Sequence, residues 1–161
     1  MLRAFFAVTM CLLITAASAT AQTPKPSEQI GVYSLMPGSE EAAATVDAFH
    51  NALRRGDKAG AVEALDPSVV IFEEGYVERS RAEYEAHHLD SDASYAAVST
   101  SAVTARSAFV SGDVAWVTSE GRTTGAVGER AIDRITTETM ILVREASGWR
   151  IRHIHWSSRA P

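Results

Sequence analysis

Gly148-Trp149-Arg150-Ile151-Arg152-His153-Ile154-His155-Trp156-Ser157-Ser158 ends the chain's last β-forming run, and the division of its side chains between two faces decides the interior of the fold. In an extended strand, successive side chains point to opposite sides. Strict alternation puts Trp149, Ile151, His153 and His155 on one face and Arg150, Arg152, Ile154 and Trp156 on the other. The first face opens with two large apolar residues, so it is expected to meet the rest of the core. On that reading His153 and His155 point inward, although Ile154 and Trp156 make the second face partly apolar.

Three further runs precede this one, at about 95–109, 114–124 and 132–145, all rich in Val, Ile, Thr and aromatic residues. Ser111-Gly112-Asp113, the stretch Gly125 to Gly128, and Ala146-Ser147-Gly148 separate them as hairpin-like turns. Upstream the pattern is helical. Ser39 is placed to cap a helix with Glu40 and Glu41 in its first turn, and Ala42, Val46, Phe49 and Leu53 form one apolar stripe. Arg54-Arg55-Gly56 ends it, with His50 on the flank of the stripe. Asp57 can cap a second short helix carrying Val62 and Leu65, which Asp66-Pro67 stops. Residues 68–72 then read as a strand. Ser80-Arg81-Ala82-Glu83 has capping-box spacing and predicts a third helix, in which Tyr84, His87 and His88 share a face. Helices first and a strand meander afterwards indicate an α+β domain.

The N-terminus reads differently. Met1-Leu2-Arg3, an apolar run from Ala4 to about Ala17, and Ala19-Thr20-Ala21 have the form of a secretory signal peptide over residues 1–21. The run is shorter than the roughly 20 residues needed to span a bilayer. Residues 22–38, with Pro24, Pro26 and Pro37, read as an irregular lead-in to a domain at 39–158. The expected location is therefore periplasmic or secreted, with no membrane attachment after cleavage. Cys11, the only cysteine, lies in the leader, so the mature chain has no thiolate ligand and no disulfide. Without the leader the net charge is about −6, and Lys25 and Lys58 are the only lysines. That composition does not suit phosphate binding, and nucleic acid is set aside as a partner.

Four of the five histidines form two tight pairs, His87-His88 and His153-X-His155. Imidazole is the commonest metal ligand and the usual proton carrier near neutral pH. An H-x-H strand pair presents two nitrogens to one side, so His153 and His155, with His87 or His88 and with Glu74 as a carboxylate, are candidate ligands for copper(II) or zinc. The competing reading makes them core-edge histidines held by backbone or hydroxyl groups.

The closing "GWRIRHIHWSS", together with Phe72-Glu73-Glu74-Gly75 leading to Ser80-Arg81-Ala82-Glu83-Tyr84 and His87-His88, resembles the SnoaL-like branch of the nuclear transport factor 2-like superfamily over about residues 39–158. The resemblance implies a cone-shaped half-barrel, with N-terminal helices packed on a curved antiparallel sheet that encloses a pocket. It also implies a homodimer formed through the outer surface of the sheet. The fold serves isomerases, cyclases, dehydratases and non-enzymatic assembly modules, so it does not supply the function. An isomerase-like site needs a carboxylate base with tyrosine and protonated-acid donors. Glu74, Tyr84 and Glu138 are parts that no spacing assembles. The expected function is an exported protein binding a small, partly apolar ligand through Tyr84, Trp116, Glu138, His153 and His155, with slow lyase or isomerase chemistry left open. Transition-metal binding is the alternative, and His153 or His155 as a general acid or base is a third reading.

Overall fold

The structure is a computed structural model that describes residues 32–161. The leader expected at 1–21, and most of the lead-in, lie outside the described residues. The elements run β1 (Val32–Leu35), α1 (Glu40–Arg54), α2 (Lys58–Ala64), β2 (Leu65–Glu73), β3 (Tyr76–Glu78), α3 (Arg81–His87), α4 (Leu89–Ala97), β4 (Ser99–Ser111), β5 (Val114–Val127), β6 (Arg130–Glu145) and β7 (Gly148–Arg159). The strands form one curved, unclosed sheet in the order β1-β4-β5-β6-β7-β2-β3, with the helices on its concave side. The architecture is the α+β half-barrel that the sequence pattern and the resemblance called for. No helix among the described residues is long and apolar enough to cross a membrane.

Local chemistry explains the starts of α2 and α3, whereas Ser39 at the start of α1 makes no side-chain cap and its hydroxyl donates back to the Met36 carbonyl at 2.7 Å. Asp57 accepts from the Gly60 amide at 2.9 Å and opens α2. Ser80 accepts from the Glu83 amide at 3.1 Å, while Glu83 reaches back to the Arg79 amide at 2.6 Å. The Ser80 bond is the first half of a capping box, while the returning Glu83 carboxylate falls on the amide one residue ahead of the N-cap. The stripe on α1 packs Val46, Phe49 and Leu53 against Val117, Met140, Leu142, Ile151 and Ile154 of the sheet. Burying each such large side chain contributes about 1.5–3 kcal/mol.

Three elements depart from the sequence reading. Residues 32–35 of the expected irregular lead-in form β1, parallel to β4. The short β3 pairs antiparallel with β2. Residues 89–97 form a fourth helix, so β4 begins at Ser99 rather than near Tyr95. The meander from β4 to β7 is antiparallel as expected, but β2 lies parallel to β7. No tight hairpin joins β2 to β7, so nothing local imposes their direction.

The principal correction concerns β7. Leu142 faces Ile151 and Ile141 faces His153, which leaves Arg152 without a partner on β6. The register of β2 against β7 breaks at the same place, between Leu65 and Val70. Two residues opposing one make a β-bulge, and a bulge reverses the phase of alternation beyond it. Trp149 and Ile151 are therefore inside, as expected, but beyond Arg152 the buried set becomes Ile154 and Trp156. His153 and His155 turn to the outer face, against Phe72, with ring centroids at 5.0 and 6.1 Å. Arg152 donates to the Asp66 carboxylate at 3.0 Å, and Asp66 also accepts from the Ser68 amide at 2.7 Å.

This phase predicts unequal costs for neighbouring residues. Ile154→Ala should lower stability by about 2–5 kcal/mol, whereas His155→Ala should change it by about 0.5 kcal/mol or less. Urea unfolding followed by circular dichroism measures both, and a larger loss at His155 would restore the uninterrupted alternation.

Candidate functional site

Beyond its apolar rows, the concave face of the sheet becomes polar. Ser119, Glu138 and Trp156 stand opposite one another on β5, β6 and β7, followed by Gly121, Thr136 and Ser158. A Cβ at Gly121 would lie 2.7 Å from the Ala102 carbonyl, so only glycine allows β4 and β5 to approach there.

Glu138 is the centre of this region, with a side chain only 10% exposed. Its Oε2 accepts from Trp156 Nε1 at 2.7 Å and contacts His50 Nε2 at 2.6 Å. Its Oε1 accepts from Ser119 Oγ at 3.3 Å. Arg106 donates through Nε to Ser119 at 3.1 Å and through Nη1 to Asp47 at 2.5 Å, which ties β4 and α1 into the same network. Burial by itself would raise the pKa of Glu138. The His50 charge, the bonds from His50 and Trp156, and the Arg106 charge outweigh it and hold the carboxyl below its usual range. Glu138 is thus an anion at neutral pH, with most of its lone pairs engaged.

That anion fixes His50. With Nε2–H directed at the carboxylate, Nδ1 is the ring nitrogen left to exchange a proton, and the side chain is 36% exposed. Phe49 meets the imidazole edge-on at a centroid distance of 5.5 Å, and the Trp156 ring lies 6.4 Å away. A carboxylate that orients an imidazole and stabilises its protonated form is the arrangement used for general base catalysis.

A second cluster lies under α3 and α4. Tyr84 is fully buried and donates to Asp92 at 2.9 Å. A hollow of about 10 Å³, room for about one water molecule, is lined by Ile71, Glu73, Tyr76, Glu78, Tyr84 and His88. Burial raises the pKa of Asp92, against the Tyr84 bond and the His88 charge. Burial, then the Asp92 charge, also raises the pKa of Glu73. The Tyr84 hydroxyl is pushed far above its ordinary value by burial and by Asp92, so it acts as a donor and not as an acid.

The sequence-derived candidates are therefore scattered. Glu138 and Tyr84 lie inside the cone, in different clusters. Trp116 was expected in the apolar wall but is 55% exposed on the outer face, in the row of Phe109, Ile141 and His153. His153 bonds through Nδ1 to the Val70 carbonyl at 2.8 Å. His87 and His88 place Nδ1 at 3.2 and 2.5 Å from the two oxygens of the buried Glu78. Glu74 accepts from Ser158 at 2.9 Å. The convergence that the metal-binding alternative requires, of His153 and His155 with His87 or His88 and Glu74, does not occur. Among the described residues, no three His, Cys, Asp or Glu side chains are placed to share an ion. The bulge at Arg152 is the cause, because it sends the H-x-H pair to the opposite face. His50, Trp156, Arg106 and Asp92 were missed. The available signal for His50 was its place beside Phe49 on α1, one step off the apolar stripe.

The model of the SnoaL-like domain matches residues 42–161. The chain belongs to the SnoaL-like family, within the nuclear transport factor 2-like superfamily. A protein from Shewanella frigidimarina, named only as a candidate ketosteroid isomerase, is 35% identical. Its structure superposes with a TM-score of 0.72, covering 77% of this chain and all (100%) of that one. A candidate dehydratase of the same superfamily from Streptomyces avermitilis is 22% identical, with a TM-score of 0.64, covering 76% of this chain and 96% of that one. The CaMKII hub from S. rosetta is 21% identical, with a TM-score of 0.67 and coverage of 77% and 98%. The last two share the fold. No curated protein matches the chain in sequence. The family is one of pocket proteins, in keeping with the polar interior described above.

The Asp92 cluster gives a pH prediction. The folded state holds the Asp92 proton more tightly than the unfolded chain, whose carboxyl titrates near 3.8. Its contribution to stability is therefore greatest below that value and is lost as pH rises through the folded-state value. Asp92→Asn, which keeps an acceptor for Tyr84, should gain stability relative to wild type between pH 4 and 7. Thermal melts across that range test it, and a pH-independent difference would refute it.

Proposed function

We propose that this protein binds a small, partly apolar carbonyl compound inside the cone and moves a proton on it, as an isomerase or lyase. The observation that carries the reading is the buried, anionic Glu138 holding a partly exposed His50. His50 Nδ1 takes a proton from the carbon next to the carbonyl, Glu138 stabilises the imidazolium, and His50 returns the proton elsewhere on the ligand or to a leaving group. The partly buried Trp156 supplies apolar surface beside the imidazole, with the core residue Phe49 packed behind it. The names carried by the Shewanella and Streptomyces relatives point to the same class of reaction.

The test is turnover of small β,γ-unsaturated ketones and β-hydroxy ketones in deuterated buffer. His50→Ala and Glu138→Gln should each lower kcat by about 10²–10⁴, with His50→Ala melting close to wild type. Wild-type turnover by a folded His50→Ala protein would overturn the assignment.

We further propose that the chain is exported, on the form of residues 1–21, and that two copies pair through the outer face of the sheet. Phe109, Trp116 and Val114 on that face are each about half exposed, and Phe72 is 40% exposed. Contiguous apolar surface of this kind commonly marks an interface. Trp116→Glu should convert a dimer to a monomer in light scattering after gel filtration. A monomeric wild-type protein would refute the pairing.

A further inference from the structure

The concave face carries three arginines, and one differs from the others. Arg106 is paired with Asp47, and Arg144 stands over the Trp149 ring with Glu41 and Asp113 in reach. Arg134 on β6 faces Thr123, which is 4% exposed, and is itself half-buried. Its Nε and Nη2 both donate to one hydroxyl, Ser158 Oγ, at 3.2 and 2.9 Å. Among the described residues no carboxylate oxygen lies within 4.0 Å of its guanidinium. Ser158 in turn donates to Glu74 at 2.9 Å, so Glu74 orients the hydroxyl without touching the arginine. A guanidinium has five N–H donors in a planar fork, and a single hydroxyl leaves most of that fork open. The Tyr95 side chain of α4 stands close enough for the Arg134 charge to act on its hydroxyl.

Arg134 and Glu138 lie four residues apart on one strand face, roughly 13 Å along the strand. Ser119, Thr136 and Trp156 occupy the neighbouring positions of the same concave surface. A half-buried cation whose nearest carboxylate acts only through a bridging hydroxyl keeps most of its donors open to an anion, and a carboxylate matches the geometry of the fork. We propose that the ligand is an oxo-carboxylic acid, whose carboxylate is clamped by Arg134 while its enolisable carbon lies at His50. The carbonyl and reaction class rest on the reading of His50 and Glu138 given above. The anionic group rests on Arg134 alone.

The test separates the two. Quenching of tryptophan fluorescence is used to titrate the full-length mature protein with 4-oxo-4-phenylbutanoate and with its methyl ester, a neutral ketone of the same shape. Wild type should bind the acid about tenfold more tightly than the ester, the usual worth of one charged hydrogen-bonded pair. Arg134→Gln should abolish that preference and leave ester affinity unchanged, and Arg134→Lys should keep part of it. His50→Ala should keep the full preference, so a failure of the catalytic reading leaves this result standing. If Arg134→Gln does not fold, the wild-type preference must still shrink as salt rises from 50 to 500 mM. Equal binding of acid and ester by wild type, an unchanged preference in Arg134→Gln, or no binding of the acid at millimolar concentration would each overturn the proposal.

Discussion

Arg152 has no partner across β6, and its guanidinium is held 3.0 Å from the buried carboxylate of Asp66, where β2 also leaves its register. This contact sets the phase of everything after it in the last strand. With Arg152 absorbed as a bulge, Ile154 and Trp156 enter the core and the neighbouring imidazoles leave it. Without it, the Trp156 indole could not reach Glu138, and the interior polar network would lose one of its donors. Asp66 is 6% exposed, so the pair lies where a lone carboxylate would be unfavourable. Bulges of this kind commonly re-aim a side chain next to a functional site.

The cone holds two acidic clusters with opposite proton affinities. Around Glu138, donors from α1, β5 and β7 converge on the oxygens and favour the charged form. Around Asp92 and Glu73, burial dominates and donors are few, so the neutral forms are favoured. The difference arises first from the His50 charge beside Glu138 and then from the hydrogen bonds directed at its oxygens, while at the partly buried Glu73 and Asp92 desolvation is the larger effect. Carboxyl groups pushed apart in this way can act in different roles at one pH.

Much of the backbone was legible. Ser80 with Glu83, and Asp57, announced two helix starts because capping is a local hydrogen-bonding demand. Gly112, Gly128 and Gly148 take positive φ at the three hairpin turns, and that requirement is visible in a single residue. What escaped had weak local signals. In α4 only Leu89 and Ala93 are buried, and the segment is otherwise Asp, Ser, Tyr and small residues. Both β1 and β3 are too short to show a period. Of the site, Glu138 and Tyr84 could be named in advance, but His50 could not. Its role depends on a carboxylate 88 residues away.

Composition, periodicity and caps were sufficient for the first three helices, the antiparallel meander and the family resemblance, because each depends on residues close together in the chain. The interior was decided by tertiary structure. A bulge exists only where two strands compete for register, and an ion pair between Asp66 and Arg152 joins parts of the chain 86 residues apart. Alternation read along one strand has no means of counting the residue that its neighbours leave unpaired. For that reason His153 and His155 lie outside the cone, and His50, which stood alone in the sequence, meets the buried carboxylate of Glu138.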